Sequence, residues 1–369
     1  MNLHNITRPT LLIDPEKCKA NIHRMAQKAK SKNLQFRPHF KTHQSAEIST
    51  WIRAEGVDRC TVSSVKMAEY FVSHGWNDIL IAFPVNVLEA KKIQLLASQI
   101  KLQVLVYSTE ALHLLAEKTK APIGIKIELN LGSNRSGLTI EDHDHIDQIL
   151  KLIQEVPHFQ FTGFYSHPGH TYTARSIEEV KKMYAKLIVD LNTLKSRYGK
   201  IDGFSITIGD TPGCTIVDEF GPIEEISPGN FVFYDVMQVN IGSCTFDDIA
   251  VVMVCPVVGK NFSRKEILIH GGAVHFSKEV LQDVHGKTHF GKLALPSKNK
   301  WTGVIPGCYL KSISQEHGLI HCSDDLLDET QIGDVVYIYP AHSCLSADLM
   351  KSYLTTNDVL MQGETAFMP

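Results

Sequence analysis

Between residues 10 and 210 short apolar runs alternate with longer stretches of helical periodicity, and the order repeats with little exception. That rhythm asks for a fold in which strand and helix succeed one another. The runs are TLLID, QFRPHF, RCTVSS, DILIAF, QVLVY, IGIKIEL, FQFTGFYSH and GFSITIG. Among the intervening segments, PEKCKANIHRMAQKAK has Pro15 where a first helical turn accepts it and basic residues late. In SIEEVKKMYAKLIVDLNTLKSRYG, Ser176 and Glu179 have the spacing of a capping box. About eight strands in roughly 200 residues favour a parallel (β/α)8 TIM-type barrel over an open doubly wound sheet. The barrel is expected over residues 14–235.

After about residue 230 the texture changes. NFVFYDVMQVNIG, IAVVMVCPVVG, EILIHGG, GLIHC and DVVYIYP are strand-like, separated by Gly, Asn and acidic turns. A mainly β C-terminal domain is expected over 236–369, with residues 1–13 able to join it. A formal charge of −3 supplies no basic field for nucleic acid or an anionic membrane. No apolar run is long enough to span a bilayer, and the opening MNLHNITRPT lacks the pattern of a secretory signal, so a cytoplasmic protein is expected. The 8 cysteines form no CxxC pair and read as buried thiols rather than disulfides.

In such a barrel, chemistry gathers where strands end. PHFKTH closes the second run and carries Lys41 in an alternation of Phe36, Pro38 and Phe40 against Arg37, His39 and Lys41. Cationic neighbours would lower the amine's pKa, as Schiff-base chemistry requires; a solvated strand-end lysine is the plainer reading. ELNLGSNRSG, after the sixth run, presents Glu128, Asn130 and Arg135, for a ligand oxygen or for a loop salt bridge. YSHPGHTY, after the seventh, clusters Tyr165, His167, His170 and Tyr172. GDTPGC, after the eighth, is either a simple turn or a glycine-bracketed anion loop offering the Thr211 hydroxyl. It matches neither the Walker nor the GxGxxG pattern. Near the C-terminus, YIYPAHSCLSAD puts His342 and Cys344 two residues apart, as zinc ligands or as a satisfied histidine beside a buried thiol.

In this order the clusters resemble those of the fold-type III pyridoxal-phosphate (PLP) enzymes, the alanine racemase-like group, and within it the D-serine dehydratase and D-threonine aldolase branch. RPTLLIDPEKCKANI, RPHFKTH, PGNFVFYDVMQ and PAHSCLSADL carry the resemblance over nearly the whole chain. It implies that Lys41 carries the cofactor as a Schiff base, that Arg135 lies by its phenolic oxygen, and that Tyr165, His167 and Tyr172 line ring and substrate. Gly209, Asp210 and Thr211, with Gly229 and Asn230, match the phosphate-holding segments, and His342 and Cys344 the metal pair. The cysteine tilts the expectation toward a zinc-dependent dehydratase, with Mn2+ the alternative ion.

The implied reaction acts on D-β-hydroxy amino acids. Lys41 removes the α-proton, zinc assists loss of the β-hydroxyl, and the product hydrolyses to a keto acid and ammonia. Retro-aldol cleavage, racemisation and non-catalytic PLP binding are the alternatives. The resemblance also implies a homodimer acting on a small-molecule substrate. Two departures bear on specificity: IHGGAVHFSKE brings His270 and His275 where relatives have a segment like DAGSKALS, and Ser227 stands where a basic residue is common, leaving the pyridine nitrogen's partner open.

Overall fold

The computed structural model describes residues 6–283, 286–297 and 300–364. They form two compact units. One comprises His23–Lys41 and Ser49–Gly229; the other holds residues up to Ile22, Thr42–Ile48 and those from Asn230 on.

The strand β1 (Thr10–Ile13) belongs to the second unit. In the first unit, β2 (Gln35–Phe36), β3 (Cys60–Val62), β4 (Asp78–Pro84), β5 (Lys101–Val106), β6 (Ile123–Glu128), β7 (Phe159–Ser166), β8 (Ile206–Ile208) and β9 (Glu225–Ile226) form one parallel sheet. Its order, β2-β9-β8-β7-β6-β5-β4-β3, is curled on itself, and a parallel bridge between His39 and Thr61 joins its two ends. The Phe40 N–H donates to the Thr61 carbonyl (2.8 Å) and the Thr61 N–H to that of Pro38 (2.9 Å). The result is the expected TIM-type barrel.

Two expectations about its strands change. TLLID is not a barrel strand: β1 pairs antiparallel with Val251–Asn261 and parallel with Ser352–Thr355. Leu11, Leu12 and Ile13 are fully buried, and such a run fits any two-sided buried strand. The eighth barrel strand is β9, whose two residues are too few to display a period.

Local chemistry sets the helix starts. Ser64, Ser108 and Ser176 accept from backbone N–H groups of Met67, Ala111 and Glu179 as N-caps. The Glu179 carboxylate reaches back to the Arg175 N–H (2.7 Å), one residue before the cap, a variant of the expected box.

Charge is buried inside this barrel. Arg37, 2% exposed, donates to Glu225 (2.9 Å) and Asp78 (2.7 Å), Lys101 pairs with Asp78 (3.1 Å), and the Thr207 hydroxyl donates to Glu225 (2.8 Å). Asp78, Lys101 and Glu225 each open their strands, so the network lies at the N-terminal ends, where barrels invest in stability. The polar clusters named above follow the C-terminal ends.

The second unit holds a nine-stranded sheet, antiparallel except where β1 meets Ser352–Thr355. An additional pairing of Glu266–His270 with Val251–Asn261 closes six of its strands into a small barrel. NFVFYDVMQVNIG is not a strand. It is a single 3-10 turn, Asn230–Val232, followed by a helix, Val236–Ile241. Asp235 caps that helix through the Gln238 N–H (3.0 Å), and Gly242 ends it at φ +91°.

Burial alone would raise the Asp78 and Glu225 carboxyls, but Arg37 holds both below the usual carboxylate range. Their folded pKa is therefore lower than their unfolded one. The stability they contribute is complete above the ordinary carboxylate range and disappears as pH falls through the lowered values. Arg37→Ala removes the buried ion-pair partner of Glu225 and one of the two ion-pair partners of Asp78, and is expected to cost about 3–5 kcal/mol in urea unfolding near neutral pH. The gap from wild type should narrow in acid.

Candidate functional site

The loop after β8 is built around Asp210. Its carboxylate accepts from the Gly213 N–H (2.7 Å), the Thr171 hydroxyl (2.9 Å) and the Tyr184 hydroxyl, and it caps the short helix Thr211–Ile216. All these groups are buried, and burial raises the Asp210 carboxyl to about 6. Asp210 therefore faces its own loop and organises it, rather than turning a carboxylate toward an anion. The glycines make room: a Cβ on Gly213 would lie 1.9 Å from the Tyr184 ring, and one on Gly209 would lie 2.7 Å from the Tyr165 hydroxyl.

Thr211 is the exposed end of this construction in a chemical sense only. Its N–H donates to the Tyr172 hydroxyl (3.2 Å), while its own hydroxyl is buried without a hydrogen-bond partner. A buried hydroxyl left without a partner costs stability unless a ligand meets it.

His167, after β7, donates its Nδ1–H to the Gly209 carbonyl, which leaves Nε2 as an acceptor. Burial, with Lys41 adding to it, lowers the imidazole to about 3, so it is neutral. Its ring lies 5.9 Å from that of Tyr172. Lys41, partly buried, donates its backbone N–H to His39 Nδ1 (3.3 Å). The cationic neighbourhood expected around Lys41 is thinner than the sequence implies. Arg37 is neutralised by Glu225 and Asp78, and burial lowers the His43 ring to about 3. The positive charge that Lys41 does influence is prospective, on His167.

Arg135 is exposed after β6 and makes no ion pair with another described residue, so the loop salt bridge is absent. Its loop is shaped by Asn130, whose side chain accepts from the N–H groups of Gly132 (3.2 Å) and Asn134 (2.9 Å), and by Ser136 donating to buried Glu128 (2.8 Å). His170 is partly buried, and Tyr165 is buried, its phenol raised by that burial and by Glu128.

In the second unit, Asp235 gathers His342 and Cys344. The Asp235 carboxylate accepts from His342 Nδ1 (3.0 Å), the Ser343 N–H (2.9 Å) and the Asn230 amide (2.7 Å). Nδ1 being held this way, His342 has Nε2 left for a metal, the carboxylate–histidine arrangement that accompanies ligating imidazoles. Burial alone would lower His342, but Cys344 and Asp235 carry it well above its usual value. Cys344 Sγ is buried, shares a hydrogen with the Thr42 hydroxyl (3.1 Å) and receives the Asn230 amide (3.5 Å). Thr42 is the residue after Lys41. Gly229 is buried; in the segment expected near a phosphate, the Asn230 amide nitrogen is committed to Asp235, Ser343 and Cys344, and its oxygen has no partner.

A family model described as alanine racemase, N-terminal domain, matches residues 13–232, more than half of the chain. The chain belongs to that family. A serine dehydratase domain model matches residues 250–356. The D-serine dehydratase of Dictyostelium discoideum is 27% identical over 97% of this chain and 95% of its own length. The D-threo-3-hydroxyaspartate dehydratase of Delftia sp. is 24% identical over 95% and 94%. The structure of that Delftia enzyme superimposes with a TM-score of 0.89 over 99% of both chains at 22% identity, a likeness of fold. A cysteine-to-alanine mutant of it has been described in a metal-free form.

Within this family member, sequence reasoning missed Asp235, Thr42, Thr171 and Tyr184. Asp235 had a usable signal, a helix-capping aspartate before VMQ, hidden by the strand-like run around it. Tyr184 sits on the buried face of the helix Ile177–Tyr198 and carries no local mark. Asp210→Ala leaves one N–H and two hydroxyls unpaired in the interior and is expected to cost about 2–4 kcal/mol in urea unfolding. Tyr184→Phe, which leaves the carboxylate two donors, should cost about 1 kcal/mol.

Proposed function

We propose that this chain is a PLP- and metal-dependent lyase of D-β-hydroxy amino acids, of the D-serine dehydratase type. The observation that carries the reading is the His342–Asp235 bond beside the Cys344 thiol, with the residue next to Lys41 bonded to that thiol. Family membership and the full-length relatives, both dehydratases, support it.

The residues fit both groups. For PLP, the partnerless Thr211 hydroxyl and the close-packed glycine backbone at Gly209 offer a phosphate cradle. For a metal, an imidazole oriented through Nδ1 and a thiol suit Zn2+ better than harder ions such as Mn2+. PLP, when bound, withdraws electrons from the substrate Cα, and zinc acts as a Lewis acid toward the β-hydroxyl.

The chain's own groups do the rest. Lys41 Nζ would hold the cofactor and would serve as the base for the substrate's α-proton. Neutral His167 has Nε2 available as an acceptor, with Tyr172 beside it, and Arg135 would offer a fixed cation to the cofactor's phenolic oxygen. A metal held by His342 and Cys344 alone would have room for ligands from the substrate. Ser227 donates to the Thr61 hydroxyl (2.7 Å), so a neutral hydroxyl pair stands where a cation is common.

The test is a product assay across D- and L-β-hydroxy amino acids, with and without chelator and added zinc. Keto acid plus ammonia from D-serine or its relatives, abolished by chelation, is expected. Glycine plus an aldehyde would establish the aldolase reaction instead, and chelator-insensitive turnover would remove the metal from the mechanism. Asp235→Asn should weaken zinc binding by about 10–100-fold in equilibrium dialysis. Thr211→Val should raise the PLP dissociation constant by about 10-fold or more, through loss of one bond to a charged group.

A further inference from the structure

His270 and His275, the two histidines that set IHGGAVHFSKE apart, converge on one carboxylate. His270 Nε2 lies 3.5 Å and His275 Nε2 3.7 Å from the same oxygen, Oε2 of Glu316. The ligand atoms of all three residues fall within 4.8 Å of one another. We propose that His270, His275 and Glu316 form a second metal site, of His2Glu composition, for Zn2+, separate from the His342/Cys344 pair.

The geometry is close to what zinc needs. Ligands at about 2.0–2.2 Å in a tetrahedral shell are roughly 3.4 Å apart, and two edges of this triangle already lie within a few tenths of that. Side-chain rotation of His270, which is 40% exposed, can close the third.

The backbone behind the cluster is built for close approach. His270 ends its strand and pairs with His317 across the sheet, and the Gly271 and Ala273 N–H groups donate to the Glu316 and Ser314 carbonyls (2.8 and 2.7 Å). A Cβ on Gly272 would fall 2.4 Å from the carbonyl oxygens of Ser314 and Gln315, and one on Gly318 would fall 2.4 Å from that of Gly271. Only glycine lets the two segments meet and so brings Glu316 onto both imidazoles.

Three protein ligands leave a coordination position open, as in zinc sites that receive a small ligand. His270 and His275 also border a cavity of about 320 Å³ whose other walls include Arg8, Leu11, Met350 and Leu354. A guanidinium beside an open metal position suits a small carboxylate. The segment is rigidly backed: buried Phe276 accepts through its carbonyl from Ser346, on the helix Ser343–Met350 that also carries Cys344.

One bond opposes the metal. His275 Nδ1 accepts from the Gly272 N–H (3.2 Å), so its proton rests on Nε2 in the free protein. Zinc at Nε2 moves that proton to Nδ1 and gives up the Gly272 bond. Affinity should therefore be weaker than in sites whose histidines donate from behind. Burial keeps His275 below the usual imidazole value, hence neutral and able to ligate at neutral pH.

Equilibrium dialysis of the full chain against zinc tests the site independently of the proposed lyase function. In a background of His342→Ala with Cys344→Ala, one zinc equivalent should remain. Adding His270→Ala, at a partly exposed position, or the conservative Glu316→Gln, at an exposed one, should weaken it at least about 10-fold. Single His270→Ala and Glu316→Gln variants of the otherwise native chain should each keep one equivalent and lose the other, with Co2+ absorption reporting the ligand set. Loss of all zinc from the His342/Cys344 background, in protein whose circular dichroism is native, would overturn the proposal. So would undiminished binding after His270→Ala and Glu316→Gln together.

Discussion

A single buried carboxylate, Asp235, determines how much of the second unit's chemistry can exist. It accepts the Gln238 N–H that starts a helix, the Ser343 N–H that follows His342, the Asn230 amide and the His342 imidazole. A fully buried carboxylate would be costly alone; with these donors it stays below the ordinary carboxylate range. The same bonds choose which nitrogen of His342 is left over. Orientation of the His342 ring and satisfaction of a charge are thus one arrangement.

The fold was legible where residues repeat a period and illegible where a run is apolar on every side. Seven of the barrel strands could be read because each carries several apolar residues before a helical segment. TLLID has the same texture, yet its backbone pairs with Val251–Asn261, because nothing in a two-sided buried strand says which sheet it enters. NFVFYDVMQVNIG misled for a related reason: its apolar content is that of a buried helix, and the informative residues were Asp235 and Gly242 at its two ends. β9 is the opposite case. Its two residues are defined by neighbours on both sides and by Glu225, which answers Arg37 from nearly 190 positions away.

The candidate site was legible as a set of loops and less so as a set of roles. Strand-end position brought out Lys41, Arg135, His167, Tyr172 and Thr211. It could not tell a residue that faces a ligand from one that faces the loop. Asp210 and Asn230 are the examples: both sit in the expected segments, and both side chains are occupied by Thr171, Tyr184 and Gly213 in one case and by Asp235, Ser343 and Cys344 in the other. The partners lie far off in sequence, so no spacing rule announces them.

This division has a physical logic that runs through the barrel. At the N-terminal ends, charges are matched in place, Arg37 against Glu225 and Asp78, and nothing is left over for chemistry. At the C-terminal ends the buried groups are kept neutral or turned inward: His167 has lost its charge to burial, and Asp210 is surrounded by donors of its own loop. Among the described residues, the buried atoms left without a partner there include the Thr211 hydroxyl, one oxygen of Glu128 and His170 Nδ1, and Arg135 is an exposed cation. An anion entering such a place meets few competing charges. A hydrogen bond made to the buried Thr211 hydroxyl counts for more than the same contact at the surface. The glycines at 209 and 213 belong to the same logic, since any side chain there would strike Tyr165 or Tyr184 and push the loop off the groups that hold it. A capacity to bind would therefore follow from what the loop has already satisfied, and the Thr211 hydroxyl is a buried group that the loop leaves out.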